Sequence, residues 1–394
     1  MTMKFKSPKK KYRASDICVL ILFLAPMCAT YMNVGIHEAT QPFMTLFVFL
    51  GLITLFFIAG LFKEFVAYFK GFNKAQELLR IVKRDITVSG SIPQLILSAL
   101  AFIIAFLNLF FIGSNKGACL IVADLGLLLC LSARISLSER FKRILAFSAC
   151  LFMIPWYAYV NWYYGFNTIA LLYLTFLFMG AVLLEYIKND YDLIYLRYVQ
   201  ILLVLATFLF TLCYHARFGI LTVLVFCLVW LILPWASEKR WASRVLISLF
   251  TFGSICFTGL YAMLGSSGFK IKILYKEVLS GRELIWKELW DAFLAQPFTG
   301  IGSSYSLKSL FIFEVHNGLF DILAVHGIIV FIIILFLLMT RLWAICKVKY
   351  RYYPDRRLAA AGVFALLFAS FFENGFITPP YSMIFFALLL LTRD

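Results

Sequence analysis

The chain has 394 residues, of which 63% are hydrophobic and 14% charged, with a net charge of +16 and a mean hydropathy of +0.92. An average soluble domain carries about 25% charged residues, and a soluble core of this length could not bury so much apolar surface, which excludes a soluble globular protein. Apolar runs of about 16 to 22 residues recur, each long enough to cross a hydrocarbon core of roughly 30 Å as a helix, so the expected fold is an all-α polytopic membrane protein.

In chain order, spans are predicted at about 17–33, 42–62, 93–112, 118–136, 144–161, 168–187, 198–214, 218–234, 245–264, 319–341, 358–373 and 378–392, twelve in all. The first run is followed by Asn33-Val34-Gly35-Ile36-His37 without a small-x-small cleavage site, so it is read as a span and not as a cleaved signal peptide. With the N-terminus inside, the inner segments hold 28 of the 36 Lys and Arg. Lys116, Arg217, Lys270, Lys272, Lys276, Arg282, Lys287 and Lys308 remain outside. Short cytoplasmic loops collect positive charge, so this asymmetry supports both the count and the orientation.

The charges sit in short loops beside spans, where they fix topology and attract anionic membrane lipid, and no nucleic-acid partner is expected. The 63–92 loop, with Phe65, Phe69, Phe72, Leu78 and Leu79 among Lys and Arg, is expected to lie on the membrane surface. The nine cysteines show no C-x-x-C spacing and read as small packing residues. No glycine-rich phosphate loop, H-E-x-x-H or other metal-ligand pattern occurs, and no cofactor or metal is expected.

Three regions follow: an N-terminal bundle over 1–264, a large outer loop over 265–318, and C-terminal spans over 319–394. In the outer loop, Ser280 and Glu283 have the spacing of a capping box opening an amphipathic helix over 281–295. Leu284, Ile285, Leu289, Trp290, Phe293 and Leu294 form its apolar stripe, and Pro297 with Gly300-Ile301-Gly302 ends it. Arg282 at the positive end of that helix suits an anionic group, or snorkels to lipid phosphate. His316, followed by Asn317 just before a span, can accept a hydroxyl proton near neutral pH, or is a histidine satisfied at the interface. Arg217, in the short outer turn Tyr214-His215-Ala216-Arg217, is costly beside hydrocarbon unless it has a partner or a water-filled cavity.

Gly281-Arg282 with Trp286, Pro297 with Gly300-Ile301-Gly302, and His316-Asn317 with Gly327 together resemble the O-antigen ligase and polymerase superfamily, whose shared C-terminal region carries these motifs in this order. Arg217 stands at the place of that family's S-R motif, with His215-Ala216 where Ser or Thr is common. The resemblance implies a GT-C-like membrane glycosyltransferase that takes a polyprenyl-diphosphate-linked glycan donor and a glycan acceptor at the outer side of the bacterial cytoplasmic membrane. Arg217 and Arg282 would then bind the donor diphosphate, and His316 would contact or deprotonate the acceptor hydroxyl. Asn317, His215, Glu373 and Asn167 would contact substrate or orient these groups. The chemistry would invert the anomeric centre without a metal.

By the same resemblance, a polymerase extends lipid-linked repeat units into O-antigen or capsular polysaccharide, with a chain-length-regulating co-polymerase as its expected partner. A ligase moves the finished glycan to lipid A-core or a protein. The compact outer loop favours the polymerase. A lipid-linked oligosaccharide flippase should show internal repeats and mid-span charges, which the sequence lacks. A non-catalytic scaffold would tolerate loss of Arg217, Arg282 and His316.

Overall fold

The computed structural model describes residues 13–32, 37–70, 85–163, 166–266, 272–273, 276–277, 281–307, 315–379 and 381–393. Among these the chain is helical apart from one antiparallel pair of two-residue strands, β1 (Lys272–Ile273) and β2 (Lys276–Glu277), in the outer loop. The N-terminal helices are α1 (Ala14–Met32), α2 (His37–Ile58), α3 (Leu61–Lys70), α4 (Ile92–Phe111), α5 (Lys116–Arg134), α6 (Glu139–Tyr163) and α7 (Phe166–Tyr191). They continue as α8 (Leu196–Cys213), α9 (Arg217–Glu238) and α10 (Arg240–Ser266). After the strands come α11 (Arg282–Ala295), α12 (Gly318–Cys346), α13 (Pro354–Ala369) and α14 (Tyr381–Leu391).

Each predicted span falls on a helix, but the helices are less uniform than the apolar runs. Seven of them, α4, α5, α7, α8, α9, α10 and α12, are long and apolar enough to cross a membrane. An eighth candidate is the α2–α3 pair, which bends by 66°. The expected 42–62 span is therefore broken near its C-terminal end, where Gly60 adopts φ +73°. The surface segment expected over 63–92 begins as α3, while residues 71–84 lie outside the described residues. The expected 378–392 span is an 11-residue helix. At 1.5 Å per residue that is about 16 Å, half a hydrocarbon core.

The centre of the bundle is α13, wrapped by α7, α9 and α14. Its Ala359-Ala360-Ala361-Gly362 run lets neighbours approach closely: a Cβ on Gly362 would stand 3.2 Å from both Leu388 of α14 and Phe178 of α7. Outer helices turn Leu, Ile and Phe away from the protein, α8 most of all, as expected where lipid and not water is the solvent. At the end opposite the outer loop, buried Arg341 of α12 donates to Ser132 Oγ of α5 (3.1 Å) and to the Leu389 carbonyl of α14 (2.9 Å). Lys142 closes the C-terminal turn by donating to the Arg393 carbonyl (2.6 Å).

The largest departure from the predicted spans is in α12. It is one helix only in outline: Gly327 sits at φ +83°, ψ +171° and breaks the hydrogen-bond ladder. The segment after α11 enters this break and replaces the missing bonds. Ile301 N–H donates to the Ala324 carbonyl (2.8 Å) and Gly302 N–H to that of Val325 (3.1 Å), while the Pro297 carbonyl accepts from Ile328 N–H (2.8 Å). Unpaired backbone at membrane depth is expensive, so the broken helix and the loop have to form together.

Candidate active site

The site is assembled where α11, α12 and the turn after α13 meet. Helix α11 begins at Arg282, and its N-cap is Gly281 at φ +85°, a left-handed backbone that glycine adopts without penalty. The expected cap, Ser280, lies outside the described residues, and Glu283 leaves its buried Oε2 without a hydrogen-bond partner. Among the described residues the helix starts from Gly281, which places Arg282 in the first turn. The buried face of α11 is Ile285, Trp286, Leu289 and Phe293, whereas Leu284 and Leu294 of the expected stripe are exposed and Trp290 is half-buried.

One turn beyond Arg282, Trp286 is fully buried against the rings of Tyr261 (5.0 Å) and Phe257 (5.7 Å) of α10. Its indole Nε1–H donates to the Val315 carbonyl (2.7 Å), in the residue before His316. The spacing of Arg282 and Trp286 therefore does two jobs. The tryptophan fixes α11 to the segment entering α12, and the arginine is left on the same helix side, beside the histidine.

His316 has φ +52°, a strained value for a residue with a side chain. The neighbours hold it there. Asn317 caps α12, its Oδ1 accepting from Phe320 N–H (2.9 Å) and from the Ser254 hydroxyl of α10 (2.9 Å). Its Nδ2 donates to the Phe371 carbonyl (3.2 Å), and Gly318 N–H donates to that of Ser370 (3.0 Å). Fully buried Asn317 thus ties α10, α12 and the post-α13 turn together beneath the site.

Glu373 of that turn joins the two charged groups. Its Oε1 accepts from Arg282 Nη2 (2.7 Å) and its Oε2 faces His316 Nδ1 (3.2 Å), while Arg282 Nη1 donates to the Phe372 carbonyl (2.6 Å). The three side chains are 16%, 17% and 22% exposed for Arg282, Glu373 and His316, so the cluster lines an opening. Burial pushes the Glu373 carboxyl up, but the hydrogen bond from His316 and the charge of Arg282 outweigh it and hold the group below its ordinary value of 4.5.

The remaining predicted residues, Arg217, His215 and Asn167, are on other elements. Arg217 is the first residue of α9, half-buried, and the ring of its neighbour Phe218 packs 6.3 Å from that of Phe372. This brings the Arg217 turn to the side of the bundle that holds Arg282. His215, exposed, makes that turn tight with φ +53°. Asn167 is in the first turn of α7, with its side chain outside the described residues. Asp321 lies in the first turn of α12, its N–H donating to the Asn317 carbonyl. Among the described residues no group of three His, Cys, Asp or Glu could hold a metal ion.

Two supporting residues escaped the sequence reading. Ser254 of α10 donates to Asn317, and Asn108 of α4 donates from Nδ2 to the Thr299 carbonyl (2.9 Å), holding the loop that fills the α12 break. The only signal for either was a polar side chain inside an apolar run.

No curated protein and no solved structure matches the chain. A family model described as O-antigen ligase matches residues 201–335, from α8 to beyond the break in α12, and so takes in Arg217, α11, the Pro297–Gly302 segment, His316 and Gly327 but not Glu373. That match, over the region that builds the site, supports the chain's place in the O-antigen ligase and polymerase superfamily.

Proposed function

We propose that this protein polymerises polyprenyl-diphosphate-linked oligosaccharide repeat units into O-antigen or capsular polysaccharide by inverting glycosyl transfer. The observation that carries this reading is the convergence of Arg282 and His316 on Glu373 at the starts of α11 and α12. Two helix N-termini and an arginine make an electropositive corner suited to a diphosphate, next to a histidine that can take a proton. Arginine fits the role because its planar fork stays charged and can bond two phosphate oxygens at once. Arg217, at the start of a third helix, is the second diphosphate ligand, and the two arginines supply the charge stabilisation that a metal would otherwise provide. His215 and Asn167 would border the sugars, and Asn317 acts by holding the site's frame.

In this reading the N-terminus is cytoplasmic and the site faces the periplasm or cell exterior of the cytoplasmic membrane. Residues 1–264 form the membrane bundle, 265–318 the catalytic loop and 319–394 the closing spans. The twelve crossings, with α13 and α14 as short ones, are arranged in a GT-C-like manner. A co-polymerase that regulates chain length is the expected partner. The described part of the outer loop packs back onto α10, α12 and the turn before α5, which favours a donor-sized site over a large acceptor platform.

A second reading, transfer of the finished glycan to lipid A-core or a protein, is favoured by the description of the matching family model. Liposomes holding the protein and a polyprenyl-diphosphate repeat unit separate the two. Lengthened lipid-linked glycan without any other acceptor supports the polymerase; product only after lipid A-core or an acceptor protein is added supports the ligase.

A further inference from the structure

Glu373 is 57 residues from His316 and 91 from Arg282 in sequence, yet its two carboxylate oxygens are divided between them. An ionised carboxylate can only accept, so the Nδ1 atom 3.2 Å from Oε2 must carry the imidazole proton. In a neutral imidazole the lone pair is then on Nε2. The geometry of the other partner is equally directed, because Arg282 spends Nη1 on the Phe372 carbonyl of the same turn and Nη2 on Glu373.

We propose that Glu373 is the positioning residue of the transfer: it fixes His316 as the Nδ1–H tautomer, with Nε2 as the base, and holds Arg282 in register until the donor diphosphate takes over that arginine. This rests on the glycosyl-transfer reading above. The acceptor O–H bond breaks and its proton passes to His316 Nε2. The oxygen's electron pair makes the new bond to the anomeric carbon, and the bond from that carbon to the phosphate oxygen breaks with its pair leaving on the diphosphate. His316 becomes an imidazolium whose Nδ1–H already faces the Glu373 carboxylate. A diphosphate drawing Arg282 away from Oε1 returns more of that negative charge to His316, so donor binding and base strength rise together. Glu373 thereby acts through two other residues instead of contacting sugar.

The charged and titratable groups around His316 come from several elements. Arg282 faces it from α11 and Glu373 from the turn after α13. Tyr261 of α10 packs on Trp286, Asp321 lies in the first turn of α12, and the turn before α9 brings His215 and Arg217. Of these, the Glu373 carboxylate faces the ring nitrogen Nδ1 directly, at 3.2 Å.

The chain has four histidines, so the full-length protein labelled with ¹⁵N-histidine in lipid nanodiscs gives a spectrum that His316→Ala assigns by loss of one set of signals. The expected result is an Nδ1–H tautomer for His316 in the unsubstituted protein, with a clear gain of the Nε2–H form in Glu373→Gln, whose amide oxygen or nitrogen can serve either tautomer. Glu373→Asp should keep more of the Nδ1–H form than Glu373→Gln. An Nε2–H tautomer in the unsubstituted protein, or the same tautomer populations in Glu373→Gln, overturns the proposal. If Glu373→Gln loses the signals of the other histidines and so has not folded, the Glu373→Asp comparison decides by the same criterion. The measurement needs no substrate, so it is separable from the transfer reading. Loss of transfer in His316→Ala with the wrong tautomer would remove only the role of Glu373, whereas unchanged transfer in His316→Ala would remove the base itself.

Discussion

Gly300 and Gly327 touch backbone to backbone: a Cβ on Gly300 would stand 2.6 Å from Gly327 N and 2.5 Å from the Val325 carbonyl oxygen. Both have left-handed backbones, at φ +77° and φ +83°. A Cβ on Gly327 would in turn collide with the Phe298 carbonyl, so neither glycine can gain a side chain without separating the loop from the broken helix. Because the colliding atoms are backbone, rotamer changes cannot relieve them. Gly327→Ala should cost about 3 kcal/mol or more from strain and lost ladder bonds. Thermal unfolding in detergent should show a lowered midpoint, and an unchanged midpoint would mean that the two segments are not locked together.

Trp286 is the joint between α11 and the residue before His316. Trp286→Phe keeps most of the ring contacts with Tyr261 and Phe257 but leaves the buried Val315 carbonyl without its donor, costing about 1–3 kcal/mol. Transfer activity should fall more than stability, because the lost bond positions the histidine directly. Comparing activity with unfolding midpoint checks this; a variant that unfolds earlier but turns over normally would contradict it.

Asn317 offers a contrast between two substitutions. Asn317→Asp keeps the acceptor for Phe320 N–H and the Ser254 hydroxyl but turns the donor to Phe371 into a buried oxygen facing that carbonyl, whereas Asn317→Ala loses all three bonds. The alanine variant should be less stable by about 2 kcal/mol or more, combining a lost N-cap with an unsatisfied buried hydroxyl. An unfolding midpoint for Asn317→Ala equal to that of the unsubstituted protein would show that the capping role is not what this residue does.

The Glu373 cluster also sets an acid limit. Its carboxyl is held below the ordinary 4.5 in the folded chain, so the unfolded chain binds the proton more readily. The resulting stability is fully present above that ordinary value and is lost as pH falls through the lower, folded value. The difference in unfolding midpoint between the unsubstituted protein and Glu373→Gln should therefore shrink as pH falls below about 4.5. A difference that grows below that pH would reverse the sign.

The helices were legible because apolar runs between charged loops have one stable solution in lipid, and α4, α5 and α7–α10 follow them closely. So were Arg282, Trp286 and His316, whose types and spacing carry chemistry that does not depend on the partners. The breaks were not legible. Gly327 looks like any glycine in a span until the Pro297 carbonyl and the Ile301 and Gly302 amides are seen to replace its ladder bonds from elsewhere in the chain. Glu373 was visible as a carboxylate at a span end, but its bridging of Arg282 and His316 depends on the turn after α13 folding back over α11, a contact that no local pattern encodes. The left-handed backbone of Gly281 at the start of α11, at φ +85°, was not legible either, because glycine leaves no side-chain pattern to mark it.

Arg282 holds two acceptors with separate nitrogens, a geometry that a lysine ammonium on a flexible stem does not reproduce. Transfer should fall by about 10²-fold or more in Arg282→Lys as well as in Arg282→Ala. The most direct measurement is transfer in liposomes from a polyprenyl-diphosphate repeat unit, comparing the unsubstituted protein with Arg282→Ala and His316→Ala, each shown to be folded by its unfolding midpoint. Glycan products present with the unsubstituted protein and absent with both variants are the expected result. Undiminished product with either folded variant would contradict the placement of the active site at the Arg282–Glu373–His316 cluster.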